Sequence, residues 1–95
     1  MPTEFEWSEE KDRQLIEQRG ISFGRVVSAI GEAYLVDVFV HPNLERYPGQ
    51  QVFVVEIDDY YYLVPFVTQP DGKGFLKTII PSRKATRGYR GRRPQ

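Results

Sequence analysis

Cysteine is absent from this 95-residue chain, which excludes disulfides, thiolate-bound zinc and cysteine nucleophiles together. A single histidine excludes any metal centre built on several imidazoles. No apolar run approaches the ~20 residues a membrane-spanning helix needs, and the first twenty residues carry too many acids for a secretory leader. There is no glycine-rich phosphate loop, no histidine–carboxylate ligand cluster and no carboxylate pair in a catalytic setting. Nucleotide-dependent transfer and metal-dependent hydrolysis therefore fit poorly. The expectation is a cytoplasmic chain that uses neither metal nor cofactor and stays off the membrane.

Net charge is also absent, but only in the sum: thirteen basic and thirteen acidic residues cancel. Residues 1–72 hold all thirteen acids and five bases, whereas residues 73–95 hold eight bases and no acid. A basic block beside an acidic body points to a polyanion or an acidic partner met by the C-terminal segment. With 40% hydrophobic and 27% charged residues, the composition is that of a globular chain, and its length suits one domain over 1–95.

The chain opens with a short aromatic stretch, Thr3 to Trp7, suited to an edge strand. Ser8 stands at an N-cap position, and Glu9, Glu10 and Asp12 load the positive end of a helix that Gly20 ends. Ser22 caps a second helix in which Phe23, Val26, Val27 and Ile30 recur at helical spacing, with Gly31 as its stop. The period then falls to two. Tyr34 to Val40 places Val36, Val38 and Val40 on one face and Leu35, Asp37 and Phe39 on the other. Gln51 to Ile57 places Phe53, Val55 and Ile57 together, with Glu56 opposed. Asp58-Asp59 joins it tightly to Tyr60–Thr68, where Pro65 implies an edge or a bulge. After the turn Pro70-Asp71-Gly72, a last strand runs from Phe75 to Ile80, and Ser82 caps one helical turn before Gly88. Residues 88–95 read as a mobile basic tail. Short turns force antiparallel neighbours, so the expected class is α+β, two N-terminal helices on an antiparallel sheet with a short C-terminal helical turn.

RNA cleavage is one chemistry that needs neither metal nor cofactor, because the substrate's own 2′-hydroxyl can attack. The protein need only hold the phosphate, stabilise its added charge and move two protons. Arg83, Lys84 and Arg87 cluster after the last strand, beside a helix start whose N–H groups also favour phosphate. Lys77 lies in that strand in phase with Phe75 and Ile79 and would emerge into a cleft. His41 begins a loop after a strand, a position open to acid–base work; Glu56 or a tyrosine is an alternative proton carrier. Arg46 in the long loop, and Tyr89 between Arg87 and Arg90, add guanidinium and aromatic groups of the kind that hold RNA.

Three stretches in order, Phe5-Glu6-Trp7, Gly20-Ile21-Ser22-Phe23 and Ser82-Arg83-Lys84-Ala85-Thr86, resemble the BrnT toxins, small RelE-superfamily ribonucleases of bacterial type II toxin–antitoxin pairs. The likeness spans about residues 5–87. It implies a RelE-like α+β fold, metal-independent cleavage of messenger RNA, free or ribosome-bound, and inhibition of translation and growth. It also implies a cognate antitoxin through which the complex contacts DNA. Arg83, Lys84 and Thr86 carry over directly and Lys77 loosely. The chain departs from the pattern at Arg19, where a histidine is usual, at Lys77, where an arginine is usual, and in its glycine-interrupted C-terminal stretch. Two other readings remain open: a non-catalytic RelE/ParE-fold protein that binds a target such as gyrase, and an RNA-binding module.

Overall fold

The computed structural model describes residues 2–43 and 45–90. Strand β1 (Phe5–Trp7) leads into helices α1 (Glu9–Arg19) and α2 (Phe23–Gly31). Strands β2 (Leu35–Val40), β3 (Gln50–Ile57), β4 (Tyr60–Thr68), β5 (Gly74–Leu76) and β6 (Ile80–Pro81) follow, and helix α3 (Arg83–Arg90) comes last. Among the described residues no helix is long and apolar enough to cross a membrane.

The local signals act as their chemistry dictates. Ser8 Oγ accepts from the Lys11 N–H, and Gly20 closes α1 in the left-handed region (φ 67°) with its N–H bonded to Ile16. Ser22 Oγ accepts from the Arg25 N–H, while the Asp12 carboxylate of α1 accepts from the Phe23 N–H at 2.7 Å. One acid thus ties α1 to the first residue of α2. Gly31 lies inside α2; the chain turns at Glu32 and at Ala33, whose φ is 69°. Asp58 and Asp59 both take positive φ (52° and 64°), which is the twist a two-residue hairpin needs.

The class is α+β, but the sheet is mixed. Its order is β1-β5-β4-β3-β2, with β6 also on β4, and β1 runs parallel to β5 while the other pairs are antiparallel. That corrects the expectation of an antiparallel sheet: β1 returns to pair with a strand almost seventy residues later. Gly74 permits it, because a Cβ there would sit 3.1 Å from Pro2 and 3.2 Å from Phe5.

Alternation fixes the two faces of the sheet. Phe53, Val55, Ile57, Val64, Phe66 and Leu76 face α1 and α2 and form the core with Leu15, Phe23 and Val26. Phe53 and Phe66 stack at 3.8 Å, and Phe5 meets Phe53 edge-on. In β2 a register shift between Leu35 and Asp37 moves Leu35 to the Val38 side, so the expected trio of Val36, Val38 and Val40 is broken at Val36.

The expected last strand also breaks in two. Leu76 and Ile79 are both buried, an odd spacing that two-residue alternation cannot satisfy, and the chain leaves the ladder between β5 and β6. Arg19 reaches this gap and donates to the Ile79 carbonyl. Pro65 sits opposite it. The Pro65 carbonyl accepts from the Lys77 N–H, so the N–H that proline lacks would point to the same, interrupted side. Proline is thereby accommodated without being on an edge strand.

Candidate functional site

Helix α3 packs on the sheet face opposite α1 and α2, and three residues fasten it there. The Ser82 N–H donates to the Tyr61 carbonyl, and Ser82 Oγ caps the helix by accepting from the Ala85 N–H. Buried Thr86 accepts from the Tyr61 N–H at 2.9 Å and donates its own hydroxyl hydrogen to Ser82. The Tyr89 ring stacks on Tyr61, and its hydroxyl donates to Asp37 at 2.6 Å. Residues 82, 86 and 89 therefore form one inward stripe. This corrects the expected single turn before Gly88: α3 continues through Gly88 to Arg90 because Tyr89 gains a docking contact that outweighs glycine's poor helix propensity. Of the expected mobile tail, 88–90 are helical and 91–95 lie outside the described residues. We expect Thr86→Val to cost about 1–3 kcal/mol in urea unfolding, since it strands a buried N–H.

Fastening one stripe inward turns the bases outward. Arg83, Lys84 and Arg87 are all exposed, and their i, i+3 and i, i+4 spacings place them on one outer face. Arg90 ends the helix, and its side chain lies outside the described residues. Lys77 continues the register of Phe66 with Leu76 and so shares a face with Phe75 and Pro65, the α3 side. Its ammonium lies 5.3 Å from the Phe75 ring centre. The expected phase with Ile79 is therefore wrong; the break after β5 puts Lys77 in solvent and Ile79 in the core.

His41 follows β2 on this same face and lines an apolar cleft of about 190 Å³ with Phe39, Pro42, Leu63, Pro65 and Ile80. Its Nδ1 accepts from the Asn43 N–H at 3.0 Å. In the neutral ring the hydrogen is then on Nε2, which presents a donor. The imidazole packs on Tyr47 at 4.3 Å, and the Arg46 guanidinium lies 5.6 Å from the Tyr47 ring centre. Arg46 is thus coupled to His41 through Tyr47. The cleft floor is contiguous with β6, which runs directly into Ser82 and Arg83.

Not every proton-carrier candidate joins. Glu56 is buried and lines a separate cleft of about 330 Å³ with Arg25, Glu32, Tyr34, Asp58 and Asp59. Tyr61 is buried beneath α3, while Tyr60 and Tyr62 point to the other face and contact each other edge-on. Tyr89 is spent on docking α3 and Asp37. Sequence reasoning passed over Leu63, Pro65 and Ile80 as cleft-forming residues; the proline was the only signal, since a proline in mid-strand marks a gap. Arg19, a departure from the BrnT pattern, holds the strand break instead of lining this cleft. Among the described residues no cluster of three or more histidine, aspartate or glutamate side chains could hold a metal.

Compared with protein-family models, curated proteins and solved structures, the chain matches none of them.

Proposed function

We propose that this chain is a metal-independent endoribonuclease, the toxin of a toxin–antitoxin pair, acting from the α3 face of its sheet. The observation that carries the reading is that α3, which exposes Arg83, Lys84 and Arg87, packs on the same sheet face that bears exposed Lys77 and the small apolar cleft lined by the chain's one histidine. The BrnT-like stretches support it from the sequence.

The division of labour follows from charge and position. Arg83 and Lys84 hold the non-bridging oxygens of the scissile phosphate and stabilise the charge added when the 2′-oxygen attacks phosphorus. Arg87 holds a neighbouring phosphate, and Lys77 adds positive potential from the sheet. The cleft of Phe39, Leu63, Pro65 and Ile80 receives a base by apolar contact. The Nε2–H of His41 donates its proton to the leaving 5′-oxygen and is restored from solvent, while the 2′-hydroxyl proton passes to water. The 5′-oxygen leaves with a proton, so the products are a 2′,3′-cyclic phosphate and a 5′-hydroxyl end. A partner that silences this face must answer its positive charge, which suits an acidic antitoxin segment.

One observation favours a second reading. Nδ1 of His41 is committed to Asn43, and the other proton carriers lie elsewhere, which suits a non-catalytic protein that binds RNA or a protein target through the same bases.

Purified chain, free of any antitoxin, should cut messenger RNA in excess EDTA and leave cyclic-phosphate and 5′-hydroxyl ends, either alone or with ribosomes added. RNA left intact under both conditions would transfer the assignment to the binding reading.

A further inference from the structure

Strand β2 ends the sheet, and among the described residues no strand pairs with its outer side. Such an edge is usually blunted by lysine, proline or an inward charge. Here it is apolar: Val36 and Phe39 are each 38% exposed and Val40 is 56% exposed. The one charged residue of β2, Asp37, covers a single edge donor and docks α3. One carboxylate oxygen accepts from the adjacent Val38 N–H at 2.8 Å, and the other accepts from the Tyr89 hydroxyl.

The ladder shows which groups the edge offers. The His41 N–H donates inward to Gln50, and Asp37 and Phe39 share its phase, so Val38 and Val40 point their N–H and C=O groups outward. An antiparallel partner must therefore be met at Val38 and Val40. We propose that this partner is β2 of a second copy, related by a two-fold axis at Phe39.

In that register Val38 forms a hydrogen-bonded pair with Val40 of the second copy, and the reverse. Phe39 faces Phe39 of the second copy as a non-hydrogen-bonded pair, the closer of the two pair types. Asp37 faces His41 of the second copy, so the carboxylate that leaves the Val38 N–H gains a histidine. Every position from 37 to 41 then meets a matching chemistry: apolar with apolar, acid with imidazole. The segment is self-complementary, as an isologous interface requires. Centring the axis on Val38 would instead oppose Asp37 to Phe39. The axis stands perpendicular to the sheet, so both α3 helices and both clefts lie on one side of a continuous double sheet. This assembly does not depend on the ribonuclease reading, and its test uses no RNA.

The absence of cysteine makes the register directly measurable. Phe39→Cys under mild oxidation should give a covalent dimer, because only position 39 of another copy can supply the second sulfur. Val36→Cys, far from its own copy across the axis, should form no covalent dimer under the same oxidation. By sedimentation equilibrium the unmodified chain should weigh twice its monomer mass. Val40→Pro, which deletes one outward N–H, should return it to monomer with an unchanged circular dichroism spectrum. A wild-type chain that remains monomeric up to its solubility limit overturns the proposal, as does equal cross-linking of the two cysteine variants.

Discussion

Arg83→Glu combined with Lys84→Glu should lower RNA cleavage by about 10³-fold or more and abolish growth arrest, while the chain stays folded. The magnitude follows from removing two charges that the proposed mechanism sets on the developing phosphorane, where loss of one preorganised donor already costs on the order of 10²–10³-fold. The fold should hold because α3 is fastened through Ser82, Thr86 and Tyr89, not through its bases. Acidic residues in the first turn also suit the positive end of a helix. Initial cleavage rates beside circular dichroism and urea midpoints separate the two effects. Full cleavage by a folded double variant would remove Arg83 and Lys84 from the site. Arg87→Glu alone should weaken RNA binding more than turnover, since its proposed role is on an adjoining phosphate.

The largest effect on stability is expected at Phe53→Ala, a loss of about 3–5 kcal/mol. Phe53 has no exposed surface, stacks on Phe66 and receives the edge of Phe5. Truncating it opens a cavity between the rings of Phe66 and Phe5, at the centre of the core. Domains of this size have about 5–15 kcal/mol in total, so the variant should be near its unfolding midpoint in modest urea. A loss below about 1 kcal/mol would mean the core collapses freely around the missing ring. The Phe53 variant tests the α1/α2 face of the sheet and the charge-reversal pair tests the α3 face, so their effects should separate cleanly in the two assays.

The contrast between Lys77 and Arg83 shows how far each level of reasoning reaches. Arg83, with Lys84 and Arg87, was legible as an exposed basic group because charge segregation along the chain needs no tertiary knowledge. Lys77 was assigned to a strand in phase with Phe75 and Ile79, and only the Phe75 half of that holds. The strand breaks after Leu76 because Pro65 cannot donate on that side and because Arg19 holds the Ile79 carbonyl. Arg19 is sixty residues away, so nothing local to Lys77 carried the information. His41 was legible as a loop histidine, but its cleft is made by Leu63, Pro65 and Ile80 from two other strands.

What the sequence determined by itself is what short-range chemistry controls. Ser8, Gly20 and Ser22 set the limits of α1 and the start of α2. Asp58-Asp59 set the hairpin, the alternation of Phe53, Val55 and Ile57 set the inner face of β3, and the basic run marked the C-terminal segment. The tertiary structure alone decided the parallel return of β1 to β5, the shift at Val36 and the extension of α3 past Gly88. The first and the last rest on contacts between distant residues, Phe5 with Gly74 and Tyr89 with Asp37. Such contacts override local preference whenever the burial or hydrogen bond they bring exceeds the fraction of a kcal/mol to ~1 kcal/mol by which propensities differ.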